Sequence, residues 1–257
     1  MAPIECKLVD VHAHLCDPAF DPDRDDVLDR ARAAGVAAII AVGEDLADAR
    51  RNLDMARVNS MVKPAAGLYP THLSMERAAE MAAFIRRHRS RLSAIGEVGL
   101  DFWAVKADSQ KALQREIFKL FIQLAVELDL PLNVHSRSAG RHAVAMLLEN
   151  NAVKVQLHAF DGKAGAALPA VEAGYFFSIP PSIVRSRQKQ KLVKQLPLDH
   201  LLVETDSPVL GPDASRRNEP ANLPHVVRAI AQIKNVSAET VTAAVIENTA
   251  RLYGILS

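Results

Sequence analysis

His12 and His14 stand one residue apart, and four more nitrogen and oxygen donors follow along the chain: Glu97, His135, His158 and Asp206. Imidazoles combined with carboxylates suit a hydrolytic divalent cation such as Mg, Mn or Zn. In an extended segment alternate side chains share a face, so His12 and His14 can hold one ion, with Asp10 on the same face as support behind them. Glu97 sits in the apolar run Ala94-Ile-Gly-Glu-Val-Gly-Leu-Asp101. A carboxylate buried there needs a cation or strong hydrogen bonds. Its two oxygens can bridge an ion held by His12 and His14 and another held by His135 and His158. Asp206, in Val203-Glu-Thr-Asp-Ser-Pro208, can complete the His12/His14 set and accept a proton from the attacking water. Glu204, on the same face, is a further ligand or a supporting group. Two divalent ions about 3.5–4 Å apart suit in-line displacement at phosphorus, and also hydrolysis of carbonyl-type substrates.

Each donor closes or follows a β-prone run. Eight such runs occur, at residues 7–11, 37–42, 63–68, 92–97, 130–135, 153–158, 175–179 and 200–204. Between them the apolar spacing turns helical: Val27, Leu28, Ala31 and Ala34; Leu46, Ala49, Leu53 and Ala56; and Leu113, Ile117, Leu120, Phe121, Leu124 and Leu128. Residues 237–254 read as a closing helix. Alternating strands and helices imply parallel strands with right-handed crossovers. Eight repeats favour a closed (β/α)8 barrel, whose chemistry sits at the carboxyl ends of the strands, where these donors lie. An open doubly wound sheet would be expected to carry a Gly-rich phosphate turn after its first strand, and here that turn is His12-Ala-His14-Leu-Cys-Asp.

The 257 residues are 49% hydrophobic, with no Gly/Ser- or Pro-rich linker and no repeat, so one domain over 1–257 is expected. A net charge of +1 excludes a protein that binds polyanions through its overall field. The cations are placed locally instead. Arg137 and Arg141 follow the His135 run; Arg185, Arg187, Lys189, Lys191 and Lys194 follow the seventh run; Arg216 and Arg217 follow Asp206. Positive loops on the donor-bearing rim are what a phosphodiester backbone requires. Arg137 and its neighbour Ser136 are therefore candidate phosphate contacts, and His72, in a loop after the third run, can reach substrate. Trp103 offers a surface on which a base can stack. Cys6 and Cys16 are too few for a disulfide framework and are expected to be reduced. The chain has no secretory leader pattern and no run near the ~18 apolar residues of a spanning helix. A soluble intracellular protein, cytoplasmic or nuclear, is expected, with no membrane partner and no obligate protein partner.

Six motifs, in order from the first strand to the last, resemble those of the TatD-type metal-dependent deoxyribonucleases. They are Asp10-Val-His-Ala-His14, Gly96-Glu-Val-Gly-Leu-Asp-Phe102, Asn133-Val-His-Ser-Arg137, Leu157-His-Ala-Phe160, Glu204-Thr-Asp-Ser-Pro208 and Arg217-Asn-Glu-Pro220. The resemblance implies a distorted (β/α)8 TIM barrel of the metal-dependent hydrolase, amidohydrolase-like type with a dinuclear site. One ion would take His12, His14, Glu97 and Asp206, the other Glu97, His135 and His158. It also implies hydrolysis of DNA with Mg, Mn or Zn, from 3′ ends or at abasic sites, with a role in DNA repair. Glu97 and Asp206 would be catalytic, and Arg137, Arg217 and Asn218 would hold phosphate. The chain departs from the family pattern at Gly67-Leu-Tyr69-Pro70, where a Gly-x-His-Pro run is usual, so that Tyr69 or His72 must substitute for that histidine. It departs again at Phe102-Trp-Ala-Val-Lys106, where an Arg is common.

Two other functions compete with a DNA phosphodiesterase. An amide, lactone or ester hydrolase on the same barrel would often carry a modified lysine on the fourth strand, where this chain has Glu97. A catalytically silent metal-binding scaffold would not be expected to keep the full donor set.

Overall fold

The computed structural model describes residues 8–254; Cys6 and Lys7 lie outside the described residues. Eight strands, β1 Leu8–Ala13, β2 Val36–Ala41, β3 Val62–Ala66, β4 Ala94–Gly99, β5 Leu132–His135, β6 Val155–His158, β7 Phe176–Ile179 and β8 Leu201–Val203, pair in parallel in sequence order. Helices α1 Arg24–Ala33, α2 Leu46–Val58, α3 Met75–His88, α4 Asp108–Leu128, α5 Gly140–Glu149, α6 Ala164–Glu172, α7 Arg187–Gln195 and α8 Leu223–Lys234 follow the strands in turn, and α9 Ala238–Tyr253 closes the chain. This is the expected (β/α)8 barrel.

The distortion lies at the seam between first and last strands. Bonds across it come largely from the segment after β8: Asp206 N donates to His12 O (2.8 Å), and His14 N to Ser207 O (2.8 Å). β8 is short, and three residues past its end the chain turns left-handed at Asp206 (φ 54°), a conformation that costs a non-glycine residue of order 1–3 kcal/mol. Asn218 stabilises the turn, its Nδ2 donating to the carbonyls of Thr205 and Val209 (2.7 Å each).

Hydrophobic periodicity places the helices. α4 buries Ile117, Phe118, Phe121, Ile122, Leu124 and Ala125 against the barrel. Of the predicted stripe, Leu113, Leu120 and Leu128 lie at its half-buried margins, because the buried face also takes Gln114 and Phe118. Serine hydroxyls cap α3, α7 and α9, with Ser74, Ser186 and Ser237 accepting from Arg77, Lys189 and Thr240 N. Inside the barrel, Val11, Ile40, Ala65, Ala94, Phe176 and Leu202 pack with Leu252 of α9. Ala94 precedes Glu97, Phe176 precedes Ser178, and Leu202 precedes Glu204. The apolar plug therefore fills the amino-terminal end and leaves the polar side chains at the carboxyl end. Among the described residues no helix is long and apolar enough to cross a membrane.

Candidate metal centre

The sequence runs place the six donors close to the strand ends, with two adjustments. β1 runs on to Ala13 and β4 to Gly99, so His12 and Glu97 lie inside strands; His135 and His158 are the last residues of β5 and β6. Close backbone approach brings Glu97 in. A Cβ on Gly67, just after β3, would stand 2.6 Å from the Gly96 carbonyl carbon and 2.7 Å from Glu97 O. Gly99 has φ +146°, and a Cβ there would lie 2.0 Å from His135 O.

Glu97 is 1% exposed and faces all four imidazoles. Its Oε2 lies 3.6 Å from His12 Nε2 and 3.2 Å from His14 Nε2. Its Oε1 lies 2.6 Å from His135 Nδ1 and 3.2 Å from His158 Nε2. Asp206 Oδ1 stands 3.4 Å from His12 Nε2 and 3.6 Å from His14 Nε2, and those two nitrogens are 3.3 Å apart. Tetrahedral donors at about 2.1 Å from an ion stand about 3.4 Å from one another. The His12, His14 and Glu97 atoms lie close enough together to hold a divalent cation, with Asp206 Oδ1 at similar distances from the two histidines, and the Glu97, His135 and His158 atoms form an adjoining group; His12, His158 and Glu204 make a third.

The supporting groups differ in part from expectation. Asp10 does not reach the His12 ring. The β1–β2 register shifts between Asp10 and Ala13, breaking the alternation, and the Asp10 carboxylate accepts from the backbone of His12 and Thr205 and from the Thr205 hydroxyl. The partner of His12 Nδ1 is Asn133 Oδ1 (2.8 Å), while Asn133 Nδ2 donates to Val11 O (3.0 Å). Glu204 accepts from Ser178 Oγ (2.5 Å) and Ala159 N (2.9 Å) and lies 3.3 Å from His158 Nδ1, so it orients that ring. Asp101 Oδ2 does the same for His135 Nε2 (3.1 Å), and the buried Gln114 ties the Asp101 backbone to Pro70 O. Asn133→Leu should weaken divalent-ion binding about 10–100-fold, the usual cost of losing a group that orients a ligand. Titration of chelator-treated protein with Mn²⁺ measures it, and an unchanged affinity would remove Asn133 from the centre.

Charge is balanced inside this cluster. Burial pushes Glu97 up, but His158, His135 and His12 outweigh it and hold the carboxyl well below its usual range. Asp206 is likewise held down by His158, His12 and His14 against burial. Burial lowers His14, but Glu97 and Asp206 prevail and push it up to about 9 from 6.5. Burial, opposed by hydrogen bonds from Thr205 and His12, pushes Asp10 up to about 8 from 3.8. A raised folded-state pKa means tighter proton binding in the fold than in the unfolded chain. The His14 contribution to stability is thus fully present below pH 6.5 and lost as pH rises through about 9. The Asp10 contribution has the same sign and is lost as pH rises through about 8. The Tm of chelator-treated protein should therefore fall between pH 6.5 and about 9. A Tm that is flat or rising across that window would contradict this electrostatic account.

Above the cluster opens a cavity of about 540 Å³ whose wall includes His14, Tyr69, Ser136, Arg137, Lys189 and Asp206. Ser136 Oγ is buried with no hydrogen-bond partner among the described residues. Of the cations following β7, only Lys189 reaches the wall; it donates to Ala159 O (3.1 Å). Three expected substrate contacts lie elsewhere. His72 pairs with Arg77 (2.8 Å). Arg217 makes a two-point ion pair with Asp23 (2.8 and 2.7 Å). Asn218 is spent on the turn that carries Asp206. Cys16 is a free, buried thiol that donates to Val42 O.

The sequence profile of the TatD-related DNases matches residues 9–254. The chain is 46% identical to the deoxyribonuclease TATDN3 of Homo sapiens, across 96% of this chain and 94% of that protein. It is 34% identical to the 3′-5′ ssDNA/RNA exonuclease TatD of Erwinia tasmaniensis, across 96% of this chain and 100% of that one. The crystal structure of YJJV, a TatD homolog from Escherichia coli, superposes with a TM-score of 0.90 at 27% identity, covering 98% of this chain and 100% of the other. The profile match runs from β1 to the end of α9, and the chain belongs to the TatD-related DNase family.

Proposed function

We propose that this protein is a divalent-metal-dependent deoxyribonuclease with a dinuclear centre, acting on single-stranded DNA at 3′ ends, at abasic sites, or at both. The observation that carries this reading is that each oxygen of Glu97 faces a different pair of imidazoles. One ion would be held by His12, His14, Glu97 and Asp206, the other by Glu97, His135 and His158. When bound, Mg, Mn or Zn supplies Lewis acidity toward the scissile phosphoryl group and the attacking water.

The chain's own groups do the rest. Asp206 uses Oδ1 toward His12 and His14, and its other oxygen has no partner among the described residues, leaving it to accept the proton of the attacking water. Arg137 and Lys189 bring positive charge to the cavity wall, where a phosphodiester enters. The unpaired Ser136 hydroxyl can donate to a phosphoryl oxygen. Tyr69, at the position where the family histidine is usual, packs its ring on His135 (5.0 Å between centroids). Burial and the surrounding carboxylates raise its pKa, so it keeps its proton and remains a donor.

Incubation of 3′-labelled single-stranded DNA, with and without an abasic site, in Mg²⁺, Mn²⁺ or EDTA tests the reading. Cleavage abolished by EDTA supports it. A ladder shortening from the 3′ end marks an exonuclease, and one cut at the lesion marks an abasic-site endonuclease. Activity on a neutral lactone or amide with none on DNA would transfer the assignment to the carbonyl-hydrolase reading.

A further inference from the structure

Trp103 is the one tryptophan of the chain; it stands 56% exposed, next to Arg137 of the cavity wall. The guanidinium carbon of Arg137 lies 3.7 Å from the centre of its ring. The two come from adjoining loops, after β4 and β5, tied by Phe102 N donating to Arg137 O (2.9 Å). The turn that presents the indole is pinned by Asp101 Oδ1, which accepts from Trp103 N (2.9 Å) and Ala104 N (2.7 Å). Asp101 also holds His135, so the indole is anchored to the donor cluster itself.

An indole that served packing alone would be covered, since burying so large an apolar surface is favourable. With one face under a guanidinium, 56% exposure requires much of the other face to be open. Arg137 makes no ion pair or side-chain hydrogen bond among the described residues, and its guanidinium lies over the indole. Stacking engages the flat face of a guanidinium and leaves the N–H edge free, and that edge matches a phosphate.

We propose that Trp103 and Arg137 form one recognition element for single-stranded DNA. The open face of the indole stacks an unpaired base beside the scissile phosphate, and the covered face holds Arg137 with its N–H edge presented to the phosphate. The inference rests on the nuclease reading and adds to it a base requirement that the metal centre does not impose. A base within a duplex has both faces stacked, so the element selects for single strands or for a base made free next to a lesion.

The test uses the metal-loaded full chain. Trp103→Leu should raise KM for single-stranded DNA about 10-fold, with a smaller change in kcat, and Trp103→Phe should recover most of the loss. Replacing the base on either side of the scissile phosphate by a stable abasic unit should shrink the variant's penalty on one side. If the indole positions Arg137, Trp103→Leu combined with Arg137→Met should raise KM less than the product of the single effects. In the wild type, a phosphorothioate single strand should quench the Trp103 fluorescence, whereas an all-abasic oligomer of equal length should not. A wild type that cleaves DNA while Trp103→Leu keeps its KM, or equal quenching by the abasic oligomer, would overturn the proposal. No cleavage by the wild type would instead overturn the nuclease reading, and this inference with it.

Discussion

Glu97→Gln should lower kcat/KM on single-stranded DNA by at least about 10³-fold and abolish high-affinity binding of divalent ions. Losing a group that merely orients one ligand costs about 10–100-fold. Glu97 lies 2.6–3.6 Å from nitrogens of His12, His14, His135 and His158, so its removal disturbs both halves of the site at once. Glutamine keeps the volume and removes the negative charge that the four imidazoles surround. Because these residues act as a unit, adding His135→Ala to Glu97→Gln should cost little more. Cleavage rate and bound metal, measured on protein shown to be folded by circular dichroism, decide it. Activity within tenfold of wild type, about 1.4 kcal/mol, would mean that Glu97 does not join the two groups.

Asp206→Asn is expected to act differently. The loss should fall mainly on kcat, by about 10²–10⁴-fold, the range for removing a positioned acid–base group. KM and metal at the His135/His158 side should change less, since Asp206 lies against His12 and His14. His158, His12 and His14 hold the Asp206 carboxyl below its usual range against burial, so the wild type keeps this base ionised throughout the neutral range. The pH–rate profile should consequently show no acid limb from Asp206 near neutrality. Turnover at saturating DNA, read beside metal content, separates this outcome from simple metal loss. A variant that loses metal in proportion to activity would assign Asp206 to ligation alone.

The donors were legible because chemistry and topology agreed on them. A His or carboxylate closing an apolar run is conspicuous, and alternating strands and helices place all such positions on one rim of a barrel. The partners of those donors were not legible. Asn133, 121 residues from His12, orients its ring, and Asp101 does so for His135; nothing local in either run announces such a contact. Asp10 misled because strict alternation fails where the β1–β2 register slips. Among the cations, periodicity in 185–194 gave no means of telling which reaches the cavity, and Lys189 does. Arg217 shows the opposite failure: a motif cation at the right end of the barrel is already paired, here with Asp23.

In the proposed site Glu97 would join two ions into one nuclease centre. Chelator-treated protein should be titrated with Mn²⁺ while bound metal, the electron paramagnetic resonance spectrum and cleavage of 3′-labelled single-stranded DNA are followed together. Two ions bound per chain, a spin-coupled spectrum at the second equivalent and activity that rises with that equivalent are the predicted result. A single tight ion with full activity and no coupling at any ratio would contradict the dinuclear account.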